Sequence, residues 1–523
     1  MASHPSLSSL SSLTSRFSPL RKPGVLRRDV LASFVVFLVA LPLCVGVAVA
    51  SGVPAELGLI TGIVGGLLVG LLPGSSLQVS GPAAGLTVLV FEAVQEFGIG
   101  ALGVIVLISG LLQLLLGAWR FGRWFRAISV AVVQGMLAGI GLVLVLGQVY
   151  ALADEAQPAG GLAKIAGLPG LFVDVVAGGT ALTAFALGAA TVAVLVLWPK
   201  LPAKARIVPG PLVAVGLATG AAVLLNLDVA RVEVQGLLAA VNPPGLSDFG
   251  GLGFAVVGTI LAFTLIASAE SLFSAAAVDR MHDGPRTDYD KELMAQGIGN
   301  TVCGALGALP LTAVIVRSAA NVQAGARTSL SRVLHGVWLL LFAALLPFVI
   351  GVIPLAALAG VLVHAGMKLV PLKEIVPLWR THRGDAVILG VTTVTIVVGN
   401  LFEGVVLGLL LSVCKSAWET SHIQVGVREL TGGRLVVAIT GNATFLRLPR
   451  ILDQLEALPQ NRPIELDLTA LRHLDHACQV ALETWSQRHN DADTVPVRMV
   501  PPSAKDPSAK DLSAKDSSSK AAV

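Results

Sequence analysis

A chain of 523 residues that is 54% hydrophobic and only 13% charged, with a mean hydropathy of +0.81, falls outside the range of soluble domains, which run about 25% charged. Its net charge of +4 is scattered between apolar stretches and is not gathered in a basic stripe, which argues against a nucleic-acid partner. Cys44, Cys303, Cys414 and Cys478 lie too far apart to suggest a disulfide framework or a metal centre. The composition is that of a polytopic α-helical membrane protein.

Residues 1–20 are Ser-rich without an apolar core, so no cleavable signal peptide is expected and the first span serves as the export signal. Arg21, Lys22, Arg27 and Arg28 precede that span, Val30 to Ala50, and place the segment 1–29 on the cytoplasmic side. Pro42 interrupts the span, as a harmless kink or as the wall of a site. Further apolar runs follow at 57–72, 77–97, 101–118, 127–150, 174–198, 207–226, 250–278, 292–309, 310–325, 330–351, 354–371, 385–400 and 400–419. With the first, these make fourteen expected spans within residues 30–420, several of them short.

Charge agrees with that count. The loops after even-numbered spans hold Arg120, Arg123, Arg126, Lys200, Lys204, Arg206, Arg280, Arg286, Lys291, Arg327, Arg332, Lys368, Lys373, Arg380 and Arg383. The two long loops on the other side, 151–173 and 227–249, hold only Lys164 and Arg231 among the basic residues. Both termini are therefore expected in the cytoplasm. Residues 423–500 change character, with strand-like runs at 435–440, 464–468 and 495–500 and helical spacing at 446–457 and 476–489, which predicts a small α/β domain. Residues 501–523 repeat SAKD among Ser and Pro, and disorder is expected there.

The ionisable residues inside apolar sequence carry the functional reading. A charge in hydrocarbon costs at least about 2.5 kcal/mol, so Glu270 and Arg317 should face a protein cavity. Glu270, among Ser268, Ser271 and Ser274, is either a structural partner of Arg317 or a coupling-ion site. Arg317 either neutralises Glu270 or serves as the counter-charge of a bound anion. Glu92, Glu96 and Glu403 lie near span ends, where snorkelling makes their cost small.

Two interrupted spans can supply the rest of an anion site. In Leu77-Gln-Val-Ser80-Gly-Pro82-Ala83-Ala84-Gly85, an extended stretch followed by a helix start would aim the N–H groups of Ala83 and Ala84 into the bilayer, with Ser80 as a cap and Gly81 allowing close approach. Pro310-Leu-Thr-Ala-Val314-Ile315-Val316-Arg317-Ser318 is the counterpart seven spans later, the spacing of two inverted seven-span halves.

The stretches LPLCVGVAVASGVPAELGLITGIVGG, LQVSGPAAGLTVLV, ELMAQGIGNTVCGALGALP and VRSAANVQAGART resemble the SulP/SLC26 family of anion transporters, and IELDLTALRHLDHACQVAL is similar to that family's STAS domain. The resemblance implies a UraA/SLC26-like 7+7 inverted repeat, with spans 1–4 and 8–11 as core and 5–7 and 12–14 as gate. It also implies a homodimer that carries its substrate by an elevator-like shift of the core. The family's anion site maps onto Ser80, Gly81, Ala83, Ala84 and Val314, Ile315, Val316, Arg317 and Ser318, and its span-8 acid onto Glu270. Sodium-coupled bicarbonate members carry a hydroxyl one turn beyond that acid, here Ser274, and a Thr in span 10, here aligned with Ile315. The lost hydroxyl tilts the reading from sodium toward a coupling proton. His476 stands where anti-sigma antagonists carry a phosphorylatable Ser, so a phosphoswitch is not expected and Asp475 reads as a helix N-cap.

The expectation is a proton-coupled symporter of a small anion of the sulfate, bicarbonate or dicarboxylate class in an inner membrane, without cofactor and not an enzyme. The rivals are an uncoupled exchanger or channel using the same site, and a receptor or enzyme working through its soluble domain. Against the last, 423–500 contains no phosphate loop, no nucleophile with a base and no metal spacing.

Overall fold

The computed structural model describes residues 24–502, apart from 128, 203–207, 246–247, 249–252, 254, 431–432, 460–461 and 492–496. Most of the tail expected to be disordered, and the first 23 residues, therefore lie outside the described residues. The chain divides into two compact units, residues 1–409 and 410–523.

The first unit is helical. Helix α1 (Val25–Ala50) runs through Pro42 without a break in its assignment. Helix α2 (Ala55–Val64) continues into a π-helical turn, Gly65–Val69. A three-residue strand, β1 (Ser80–Pro82), and a 3-10 turn at Ala84–Leu86 lead into α3 (Thr87–Ala118), which is broken at Gly98 with φ 81°. The runs 77–97 and 101–118 are the two sides of that break. There follow α4 (Val130–Leu152), α5 (Gly161–Ala177), α6 (Thr180–Leu197), α7 (Gly210–Leu224), α8 (Ala255–Asp279) and α9 (Tyr289–Ala305). Strand β2 (Leu311–Ala313) leads into the short α10 (Ile315–Gln323). Helices α11 (Leu330–Leu345), α12 (Pro347–Gly351), α13 (Leu355–Leu369), α14 (Leu372–Thr381), α15 (Arg383–Val398) and α16 (Leu401–Thr420) complete the series.

Among the described residues, seven helices are long and apolar enough to cross a membrane alone, and Ala55–Val69, Gly210–Leu224 and Leu330–Leu345 are shorter apolar helices. The expected count of fourteen thus includes segments that are not full-length helices. The run 310–325 is a strand followed by nine helical residues, because Pro310 and the extended backbone after it take up the stretch before Ile315.

Two expected loops are helical instead. Residues 151–173 contain most of α5, and 372–381 form α14. Charges masked the amphipathic pattern of α14, whereas α5 is apolar with Leu162, Ile165, Phe172 and Val173 exposed, and Pro169 and Pro377 inside the helices are read as breakers in sequence.

Polar side chains in this unit hold chain that no helix can satisfy. Asp29 is fully buried and accepts from the backbone N–H of Arg327 at 2.7 Å and from the Thr328 hydroxyl at 2.5 Å. Arg332, expected in a cytoplasmic loop, is 2% exposed and donates to the carbonyls of Gly70 at 2.8 Å and Gln78 at 3.3 Å.

The second unit carries a five-stranded sheet of β3 (Ile423–Glu429), β4 (Leu435–Ala443), β5 (Ile464–Asp467), β6 (Leu471–Leu474) and β7 (Val497–Val500). The order is β3-β4-β5-β7, with β6 also pairing β4; β3 is antiparallel to β4 and the other pairings are parallel. Helices α17 (Leu448–Glu456) and α18 (His476–Asp491) cover it, burying Ile451, Leu455, Cys478 and Leu482 with Val437, Ile439 and Leu466. Strands β3 and β6 were not foreseen, since β3 alternates Gln, Gly and Arg at its exposed positions and β6 is four residues long.

Asp475 caps α18: its Oδ1 accepts from the N–H of Cys478 at 2.8 Å, and the N–H of Phe445 donates to its other oxygen. Burial acts to raise this carboxyl, but those bonds outweigh it and hold Asp475 below the usual carboxylate range.

Candidate functional site

The site begins with a backbone problem. Extended chain inside a membrane-spanning bundle leaves N–H and C=O groups that must find partners within the protein. Strands β1 and β2 solve part of it by pairing antiparallel, Ser80 with Ala313, Gly81 with Thr312 and Pro82 with Leu311. Buried side chains solve the rest. Asn300 accepts from the Leu311 N–H at 2.7 Å and donates to its carbonyl at 3.1 Å. Ser271 accepts from the N–H of Ala313 at 3.2 Å, Ser318 from that of Val79 at 2.9 Å, and Asn321 donates to the Leu77 carbonyl at 2.9 Å. The ribbon also lies tight against the π-helical turn after α2, where any side chain at Gly65 would strike the Ser80 carbonyl.

This pairing brings two helix starts together. The 3-10 turn before α3 follows Ala83, and α10 follows Val314; neither start has a side-chain cap, so both leave N–H groups free at the same place. Ser80 is therefore not a cap. It sits within β1 and accepts from Gln296 at 2.8 Å, in a buried group where Glu292 accepts from Gln296 at 2.7 Å, Gln78 at 3.1 Å and the N–H of Ser75 at 2.7 Å.

Between the two starts lies a cavity of about 110 Å³ lined by Leu43 and Val47 of α1, Pro82 to Gly85, Met136 of α4, Glu270, Phe273 and Ser274 of α8, Val314 to Arg317, and Ala365 and Leu369 of α13. Of the residues expected at the site, it gathers Ala83, Ala84, Val314, Ile315, Val316, Arg317, Glu270 and Ser274. Ser80, Gly81 and Ser318 stand behind it, the two serines committed to the ribbon and its supports. A larger recess of about 720 Å³ shares Leu43, Ile315, Val316 and Ala365 with the cavity and extends along Val39, Val35 and Leu31 toward the Val25 end of α1.

Glu270 and Arg317 are the charged groups on the cavity wall, yet they do not form an ion pair. No Asp or Glu lies within 4.0 Å of the Arg317 guanidinium among the described residues. Arg317 is 0% exposed and donates from one Nη to the Pro82 carbonyl at 3.1 Å, while its Nε and other Nη are buried without a hydrogen-bond partner. A permanently charged guanidinium left in that condition is costly in a low-dielectric interior. Oε2 of Glu270 is likewise without a partner. The Thr312 side chain lies beside that carboxyl, and the Ser274 hydroxyl donates to the Ala313 carbonyl at 3.0 Å. Thr312 had no role in the sequence reading, which aligned Ile315 with the missing hydroxyl. The β1–β2 register, which puts Thr312 opposite Gly81, is what reveals it.

The fold and this site define a polytopic membrane transporter of anions with a separate sheet-containing C-terminal unit. Residues 26–392 match the model of the sulfate permease family, and the chain belongs to that family, SulP/SLC26. YvdB of Bacillus subtilis (strain 168), which carries a sulfate-transporter name, is 28% identical over 392 residues, covering 74% of this chain and 72% of that protein. The bicarbonate transporter BicA of Picosynechococcus is 26% identical over 420 residues, covering 76% and 71%. Among solved structures, the murine anion transporter Slc26a9 in its inward-facing state superposes with a TM-score of 0.80 at 15% identity, over 96% of this chain and 90% of that one. The C-terminal sheet unit fits a STAS domain.

Proposed function

We propose that the chain is a secondary active transporter that carries a small anion of the sulfate, bicarbonate or dicarboxylate class in symport with protons. The observation that carries this reading is the buried, unpaired Arg317 beside two uncapped helix starts. In this reading the anion lies beside Val314 among the N–H groups of Ala83, Ala84, Ile315 and Val316 with Arg317 as counter-charge, while the Val314 N–H is spent on the Val79 carbonyl at 2.9 Å and Ser80, Gly81 and Ser318 shape the site through the ribbon. Glu270, separate from Arg317, takes up and releases the coupling proton. The recess toward the Val25 end of α1 is the cytoplasmic access path.

Fourteen membrane segments in two inverted halves, an elevator-like shift of core against gate, a homodimer, an inner-membrane location and cytoplasmic termini complete the proposal. Its domains are the transport body 30–420 and the STAS-like 423–500. Sulfate and bicarbonate are favoured by the names of the similar proteins.

Sodium coupling is the second reading, because the hydroxyls of Thr312 and Ser274 stand near Glu270 and restore what Ile315 lacks. Uptake into proteoliposomes distinguishes them. Accumulation of labelled sulfate or bicarbonate driven by an inward proton gradient without sodium supports the first, accumulation that requires a sodium gradient supports the second, and equilibration without accumulation supports an uncoupled exchanger.

A further inference from the structure

At the Ala50 end of α1, away from the recess, the helices meet around a buried lysine. Helix α5 is mostly exposed, with Gly161, Lys164 and Leu171 its buried residues, and Lys164 is only 3% exposed. Its Nζ stands 5.2 Å from the centre of the Phe91 ring on the first half of α3, and Glu92 is the acidic group that acts on it. The ammonium reaches this place over Gly147 of α4, where a Cβ would lie 3.3 Å from Nζ and would collide with Oε1 of Gln157. Gln157 donates from Nε2 to the Ala50 carbonyl at 3.1 Å, and the Tyr150 hydroxyl donates to the Lys164 carbonyl at 2.5 Å. Phe91 in turn rests against Gly52, just past the end of α1.

Three neighbouring pieces of chain, α4, the loop after it and α5, thus converge on α1 and α3, the elements that carry part of the anion site. None of Lys164, Gln157, Phe91 or Glu92 lines the cavity. A lysine ammonium is strongly hydrated in water, so it stays buried only while the ring face and Glu92 replace that hydration. Once the two sides separate, water takes over. A contact of this kind is easily made and broken, unlike the apolar packing around it.

We infer that Lys164, seated over Phe91 across Gly147, is the latch that keeps the anion site closed on the Ala50 side. Losing it shifts the population toward the state open on that side. This rests on the reading of the cavity as a site with alternating access.

Val47 lines the cavity on the Ala50 side of Leu43 and serves as reporter. Val47→Cys is made in the full chain with Cys44, Cys303, Cys414 and Cys478 replaced by Ala, and is reacted with a membrane-impermeant maleimide supplied from the Ala50 side of oriented vesicles. Adding Lys164→Met is expected to raise the labelling rate about 30-fold, the population change for losing one desolvated cation–π contact. Lys164→Arg is expected to keep the parental rate, and Phe91→Leu to match Lys164→Met. Parental labelling in Lys164→Met at an unchanged melting temperature overturns the latch; if that variant does not fold, Phe91→Leu decides by the same criterion. Sulfate and bicarbonate uptake by the wild-type chain is measured alongside. A labelling shift with no uptake sinks the transport reading alone, and uptake with no labelling shift sinks the latch alone.

Discussion

The two chain entrances that meet at the cavity use one backbone device with opposite side-chain content. The entrance to α3 brings Pro82, Ala83, Ala84 and Gly85, none of which carries a charge. The entrance to α10 brings Val314 to Arg317, and α8 beside it brings Glu270. The first half makes room for the charges of the second. A Cβ at Gly81 would collide with an Nη of Arg317, and one at Gly85 would lie 2.6 Å from Oε1 of Glu270. The two helix starts are therefore not a pair of equal half-sites: one gives backbone N–H groups and space, the other gives charge.

The largest expected effect breaks the charged half. Arg317→Met replaces an unpaired buried cation by an apolar side chain of comparable length. Anion affinity, read by equilibrium binding of labelled sulfate or bicarbonate, is expected to fall about 100-fold, the loss of a charge-assisted contact of ~3 kcal/mol. The melting temperature is expected to hold or rise, since no carboxylate is left unpaired by the change. A sharp fall in stability would show that Arg317 has a structural partner after all.

The next change touches the permissive half. Gly85→Ala presses on the Glu270 carboxyl and not on Arg317, so proton-driven accumulation is expected to drop about ten-fold while equilibrium anion affinity changes less than two-fold. Equal losses in both would mean that the two halves do not divide the work as described.

The smallest effect lies in the other unit. Asp475→Ala removes the cap of α18 and is expected to cost about 1 kcal/mol, read as faster hydrogen exchange of the α18 amides with transport unchanged. The Asp475 carboxyl is held below its ordinary value, so its contribution is present above the unfolded value of about 4 and disappears as pH falls through the lower folded value. The variant and the parent should exchange alike once the pH is below both.

Much of this arrangement was legible in the sequence, for identifiable reasons. Glu270 and Arg317 stood out because charge in apolar runs is rare, and the Pro82 and Pro310 interruptions marked where helices had to stop. Asp475 was readable as a cap from its place before α18. The supports of the ribbon were not readable: Asn300, Asn321, Ser271 and Ser318 look like ordinary polar residues until the extended backbone they satisfy is in place. Lys164 was assigned to an outer loop because its charge was counted and the helix under it was not seen. Thr312 was missed because the linear alignment to Arg317 selected Ile315, whereas the antiparallel register of β1 and β2 decides which residue stands near Glu270.

The measurement that tests the account most directly is made on one preparation of Glu270→Gln in proteoliposomes. A neutral side chain of the same shape should leave the anion site intact, because Arg317 and the helix starts are untouched. Counterflow exchange of labelled anion is expected to continue at close to the parental rate, while an inward proton gradient no longer drives accumulation. Accumulation driven by the proton gradient at the parental level would contradict the coupling role of Glu270.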